Sequence, residues 1–151
     1  MYEITVQRAV FGLTLPTTPT FKRWVKTVLK NKMPSAELTI RIVDKNEMTE
    51  LNSTYRKKNK PTNVLSFPFD RPDHLDDELP ILGDIVICAE VIEEEANQQQ
   101  KSVESHWAHM VVHGTLHLLG YDHEKNDDAE IMEAEEIRFL SLLGYDNPYS
   151  D

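Results

Sequence analysis

Trp107-Ala108-His109-Met110-Val111-Val112-His113-Gly114-Thr115-Leu116-His117-Leu118-Leu119-Gly120-Tyr121-Asp122-His123 is the stretch on which the reading of this chain turns. Met110, Val111, Val112, Leu116 and Leu118 fall on several faces of one helix, and a helix that is apolar all round is a buried one. The sequence therefore predicts a central buried helix opening at Ser102. His113 and His117 are four apart, which stacks their rings on one face of that helix. Gly120 ends it, since a glycine just past the last turn takes the left-handed conformation that reverses a chain. Tyr121-Asp122 then carry His123 back toward the first two rings.

Imidazoles buried without partners cost free energy, so these rings need hydrogen bonds, charged neighbours or a metal. Three neutral nitrogens with one position left open form a catalytic zinc pattern, whereas structural zinc sites are closed by four protein ligands. His113, His117 and His123 are accordingly the expected ligands of one divalent metal ion. Zinc is the expected ion, although imidazole also suits copper, nickel and iron. His109 lies four before His113 and is the rival ligand. Three rings along a straight helix span two turns and cannot converge, so His109 is expected to support the site or to pack. His106 is expected nearer the surface.

Outward from this helix the chain alternates elements. Tyr2 to Val6 reads as a strand and Phe21 to Leu29 as a helix, with Phe21, Trp24, Val25, Val28 and Leu29 at helical intervals. Leu38 to Val43 alternates with β-branched residues, a half-buried strand. Asp44 is positioned to cap a helix over Lys45 to Tyr55. Val64 to Phe67 and Ile81 to Cys88 read as strands, the second interior, separated by a loop over Phe69 to Pro80 that the acids and Pro72 suggest is mobile. Ala89 to Gln100 is an acidic helix, and Asp127 or Asp128 is placed to cap a last amphipathic helix ending near Gly144. Strands mixed with helices, two strands in direct succession, predict an α+β domain over residues 1–151 with a single mixed β-sheet packed with helices.

Composition bounds the function. A chain of 151 residues fits one core, and it holds no apolar run long enough to span a bilayer. Met1-Tyr2-Glu3-Ile4-Thr5-Val6 has no secretory start, so a cytoplasmic location without membrane partners is expected. The one cysteine, Cys88, sits in an apolar run and reads as a core residue. The net charge of −10 argues against a polyanionic partner until its distribution is counted. Lys22 to Lys60 carries eleven basic and four acidic residues, net +7, while the rest of the chain is net −17. That basic half can meet phosphates.

A metal held by three imidazoles can lower the pKa of water from ~15.7 toward ~7, which suits hydrolysis. Zinc peptidase helices place a glutamate directly after the first histidine as general base. Here that position is Gly114, which counts against a peptidase. Phosphodiester cleavage instead needs negative charge at phosphorus stabilised by a metal and a planar guanidinium. Arg56, opening the basic run Arg56-Lys57-Lys58-Asn59-Lys60 before a strand, and His113 are the candidate catalytic residues, while a solvated basic loop is the ordinary reading of such a run. Ser66 and Asp84 are polar positions in apolar strands, lining the cleft or satisfying strand ends.

Four motifs carry a family resemblance: Leu51-Asn52-x-x-Tyr55-Arg56, Asn63-Val64-Leu65-Ser66-Phe67-Pro68, Gly83-Asp84-Ile85, and His113 through His123. In these the chain closely resembles the bacterial YbeY family of metal-dependent endoribonucleases. The resemblance implies a zinc-bound endoribonuclease preferring single strands, acting in ribosomal RNA maturation at the small-subunit 3′ end and in ribosome quality control. It also implies that His113, His117 and His123 bind the metal, that Arg56 matters for activity, and that ribosomal RNA, the small ribosomal subunit and assembly factors are partners. Two other classes stand beside it. One is a non-catalytic ribosome assembly factor with a structural metal, the other a metallopeptidase-like hydrolase.

Overall fold

The computed structural model describes residues 1–69 and 80–150, so the loop expected over Phe69 to Pro80 lies, apart from its two ends, outside the described residues. In chain order the elements are β1 (Tyr2–Arg8), α1 (Thr18–Leu29), β2 (Ala36–Val43), α2 (Lys45–Arg56), β3 (Val64–Pro68), β4 (Ile81–Cys88), α3 (Ala89–Gln98), α4 (Val103–Leu118) and α5 (Asn126–Leu143). The strands form one sheet in the order β1-β2-β4-β3. β1, β2 and β4 run parallel, while β3 returns antiparallel along the β4 edge. The α+β reading with a mixed sheet holds.

Side chains on successive strand residues point to opposite faces, and that alternation divides the core in two. Ile4, Leu38, Ile40, Ile42, Ile85 and Ile87 face α1, α4 and α5 and build the larger core with Phe21, Trp24 and Trp107. Val43, Leu65, Val86 and Cys88 face the other way and pack with Met48 of α2. Cys88 is buried, as its apolar surroundings predict. The Phe21 ring meets Trp24 and Trp107 edge-on, each at 5.6 Å between centroids, which fastens α1 to α4.

Local chemistry sets the helix starts. The Asp44 carboxylate accepts from the Glu47 amide at 2.8 Å and the Ser102 hydroxyl from the Ser105 amide at 3.1 Å, both at the positions the sequence predicts. Caps of this kind contribute about 1 kcal/mol each. The last helix differs from expectation: it begins at Asn126 after Lys125, with no side-chain cap. Asp127 and Asp128 lie inside its first turn, where their charges favour the positive end of the helix dipole.

α4 runs through the middle, buried along most of its length. Gly114 permits its closest approach to the sheet. A β-carbon at that position would stand 2.7 Å from Ile85 Cγ2, inside contact distance. The Ser66 hydroxyl of β3 donates to the Gly114 carbonyl at 3.3 Å and ties the same turn to the edge strand. The position after His113 therefore packs against the Ile85 side chain, and nothing larger than glycine fits there as the helix lies.

Candidate metal centre

The end of α4 builds the site. Gly120 adopts φ +105°, its amide donates to the His117 carbonyl at 3.0 Å and the Tyr121 amide reaches back to Leu116 at 3.1 Å. These paired bonds make a Schellman stop, the reversal expected of a glycine in this place. The Asp122 carboxylate then accepts from the His123 and Glu124 amides at 2.7 and 3.2 Å, holding the turn that presents His123.

The three predicted rings converge. Centroids of His113 and His117 are 4.6 Å apart, His117 and His123 4.9 Å, and His113 and His123 5.4 Å. One nitrogen from each lies within 4.8 Å of the others, and His117 Nε2 is 3.0 Å from His123 Nδ1. Imidazole nitrogens bonded to one zinc at about 2.0–2.1 Å stand roughly 3–4 Å apart, a spacing this set approaches. Among the described residues the cluster contains these three donors and no fourth. His113 and His117 are half-buried and His123 is exposed, so the set opens to solvent on the His123 side.

The His117 ring is in the form a metal requires. Burial, with smaller contributions from His113 and His123, lowers the His117 pKa to about 4, leaving its ring neutral near physiological pH. His113 Nδ1 lies 2.9 Å from Glu136 Oε2. Glu136 is 1% exposed; burial alone would raise its pKa, but hydrogen bonds from His109 and His113 outweigh that and hold it at about 2. An ionised carboxylate only accepts, so His113 Nδ1 carries a proton and Nε2 is the nitrogen left for the cluster.

Glu136 gathers more than one donor. His109 Nε2 donates to its Oε1 at 2.6 Å, and the Tyr149 hydroxyl donates to the same oxygen. His109 thus stands behind the histidine cluster, joined to it through Glu136. His106 departs from expectation. It is 3% exposed, with Nε2 2.9 Å from Glu95 Oε1, because the start of α4 packs against α3 instead of facing solvent.

Glu136 and Tyr149 are the residues sequence reasoning missed. The signal for Glu136 was present: it falls in register with the buried Met132, Phe139 and Leu140 of α5, a carboxylate in an apolar stripe. Tyr149 carries no such signal. Of the other candidates, Ser66 faces α4, while Asp84 is exposed on the opposite side of the sheet by strand alternation. Arg56 is the last residue of α2, exposed and without a carboxylate partner among the described residues. Its neighbour Tyr55 packs on Phe67 of β3, 5.0 Å between ring centroids.

A family model described as Endoribonuclease YbeY matches residues 13–147. The chain belongs to the YbeY endoribonuclease family. The match takes in the whole of α4, the histidine turn and Glu136, so the cluster and its carboxylate both lie within the YbeY-like region. Membership makes the chain a nuclease-type hydrolase whose substrate is RNA. The solution structure of TM1509 from Thermotoga maritima superposes with a TM-score of 0.63 at 22% identity, covering 100% of both chains, and shares the fold. No helix among the described residues is long and apolar enough to cross a membrane.

Proposed function

We propose that the chain is a zinc-dependent endoribonuclease that cuts single-stranded RNA during maturation of the small-subunit ribosomal RNA 3′ end and in ribosome quality control. The small ribosomal subunit and assembly factors are the partners of this reading, and the cytoplasm its location. The convergence of His113, His117 and His123 on one point, open toward solvent, is the observation that carries it. A divalent ion bound there supplies Lewis acidity toward phosphate oxygens and eases loss of a water proton.

The chain's own residues set up that chemistry. Glu136 fixes the His113 tautomer and ring plane, as carboxylates behind metal-bound histidines do. His109 and Tyr149 hold Glu136 in turn, so a line of hydrogen bonds runs from the tail of the chain to the first ligand. Arg56 is the proposed partner of the substrate phosphate, with an exposed guanidinium that has no carboxylate partner among the described residues and is suited to bidentate contact. The peptidase reading finds no support at position 114, where the packing against Ile85 leaves a glutamate no room.

Elemental analysis of the purified protein, with RNA-end mapping for wild type and His113→Ala, tests the proposal. Zinc near one equivalent and ribosomal RNA ends that change only in the variant are expected. Arg56→Ala should retain the metal yet lose about 10²-fold in turnover, the scale seen when one charge-stabilising donor is removed. Metal-free protein with full activity, or a His113→Ala variant that cuts normally, removes the assignment.

A further inference from the structure

Residues 4–36 contain no aspartate or glutamate, and six lysines and arginines, in a chain of net charge −10. Four of those cations, Lys22, Arg23, Lys26 and Lys30, line a single surface groove of about 550 Å³ along α1. Arg23, Lys26 and Lys30 are exposed, and none of the four has an ion-pair partner among the described residues. Lys22, Lys26 and Lys30 recur every four residues, and like charges at that interval repel. Among the described residues the fold therefore keeps an unneutralised cationic row on one helix while the remaining charge of the chain is strongly negative.

The row leads to the metal loop. Just past the end of α1, Lys32 Nζ, itself ion-paired with Glu135 at 3.6 Å, donates to the Tyr121 hydroxyl at 2.7 Å, two residues before His123, and so ties the helix end to the loop without adding free charge. At the other end Arg8 donates to the Thr18 hydroxyl at 3.2 Å, extending the positive surface past the start of the helix. From Lys22 to Lys30 is about 12 Å along the axis, the run of three or four phosphates at about 3.4 Å each on a stacked strand.

We infer that the α1 groove is a binding track for the phosphate backbone of the RNA whose cleavage the histidine cluster performs, gripping the strand beside the metal loop without reading bases. The inference rests on the endoribonuclease reading and adds to it a second contact surface. Its chemistry is counterion release, so affinity through the groove is independent of sequence and falls steeply with salt.

The test uses the full, metal-loaded chain, the Lys26→Gln/Lys30→Gln variant and an oligouridylate of about 20 nucleotides, with binding also measured in the His113→Ala background to prevent cleavage. Losing two single-strand phosphate contacts lowers the salt slope by about 1.4, which predicts a roughly 70-fold weaker affinity near 50 mM salt and about 10-fold near 200 mM. KM should rise with kcat unchanged, and the thermal midpoint should hold or rise slightly, because both sites are exposed and two repulsive pairs are relieved. Wild type that cuts RNA normally beside a double variant with unchanged affinity and slope overturns the track alone. Loss of binding to an acidic protein surface, with RNA affinity intact, assigns the groove to a protein partner and overturns it too. A wild-type chain that neither binds nor cuts RNA removes both readings together.

Discussion

Glu136 on α5 and His113 on α4, 23 residues apart in sequence, meet through a 2.9 Å hydrogen bond at Nδ1, on a ring whose centroid stands 4.6 and 5.4 Å from those of His117 and His123. Replacing the carboxylate by an amide of the same shape keeps the packing and removes the charge. Glu136→Gln should therefore fold yet bind zinc about 10–100-fold more weakly, the usual cost of altering a partner behind a metal ligand. Competition against a chromophoric chelator reads this directly. An affinity equal to wild type would mean that the contact only packs.

Gly114 tests how closely α4 must lie on the sheet. Alanine should gain about 1 kcal/mol in helix propensity, but its β-carbon arrives 2.7 Å from Ile85 Cγ2. Overpacking a dense core costs about 1–3 kcal/mol, so the variant should be less stable by about 1 kcal/mol on balance. Denaturant unfolding decides the sign. A stabilised Gly114→Ala protein would show that the helix can lift away without cost.

His106 gives the chain an acid-sensitive element away from the ligands. Burial lowers its pKa below 6.5, opposed in part by the Glu95 carboxylate beside it. The folded state keeps the ring neutral while the unfolded chain takes up a proton, so stability falls as pH drops through about 6.5 and levels off below the folded pKa. The slope from one proton is at most about 1.4 kcal/mol per pH unit. His117, whose pKa is lowered to about 4, titrates on unfolding in the same window. His106→Gln should therefore reduce the pH slope of the denaturation midpoint without abolishing it, and a variant with the wild-type slope would assign the sensitivity elsewhere.

Arg56 separates chemistry from metal binding. Arg56→Lys keeps the charge but not the fork, so it should restore little of the turnover lost in Arg56→Ala if bidentate phosphate contact is its role. Single-turnover cleavage at saturating RNA measures this. Full activity with lysine would reduce Arg56 to a point charge.

The sequence alone determined the features whose physics is local. Four-residue spacing, a glycine stop and a returning histidine bring the three imidazoles together because helix geometry and one left-handed residue decide where those rings point. The caps at Asp44 and Ser102 and the alternating strands follow from interactions within a few residues. Tertiary structure decided what stands behind the ligands. Glu136, His109 and Tyr149 meet only because α5 and the tail pack across α4, and the burial of His106 depends on α3 lying over the same helix. Gly114 shows the same division. Its missing side chain is legible in the sequence, but the reason for it is a contact with Ile85, 29 residues away and on another element.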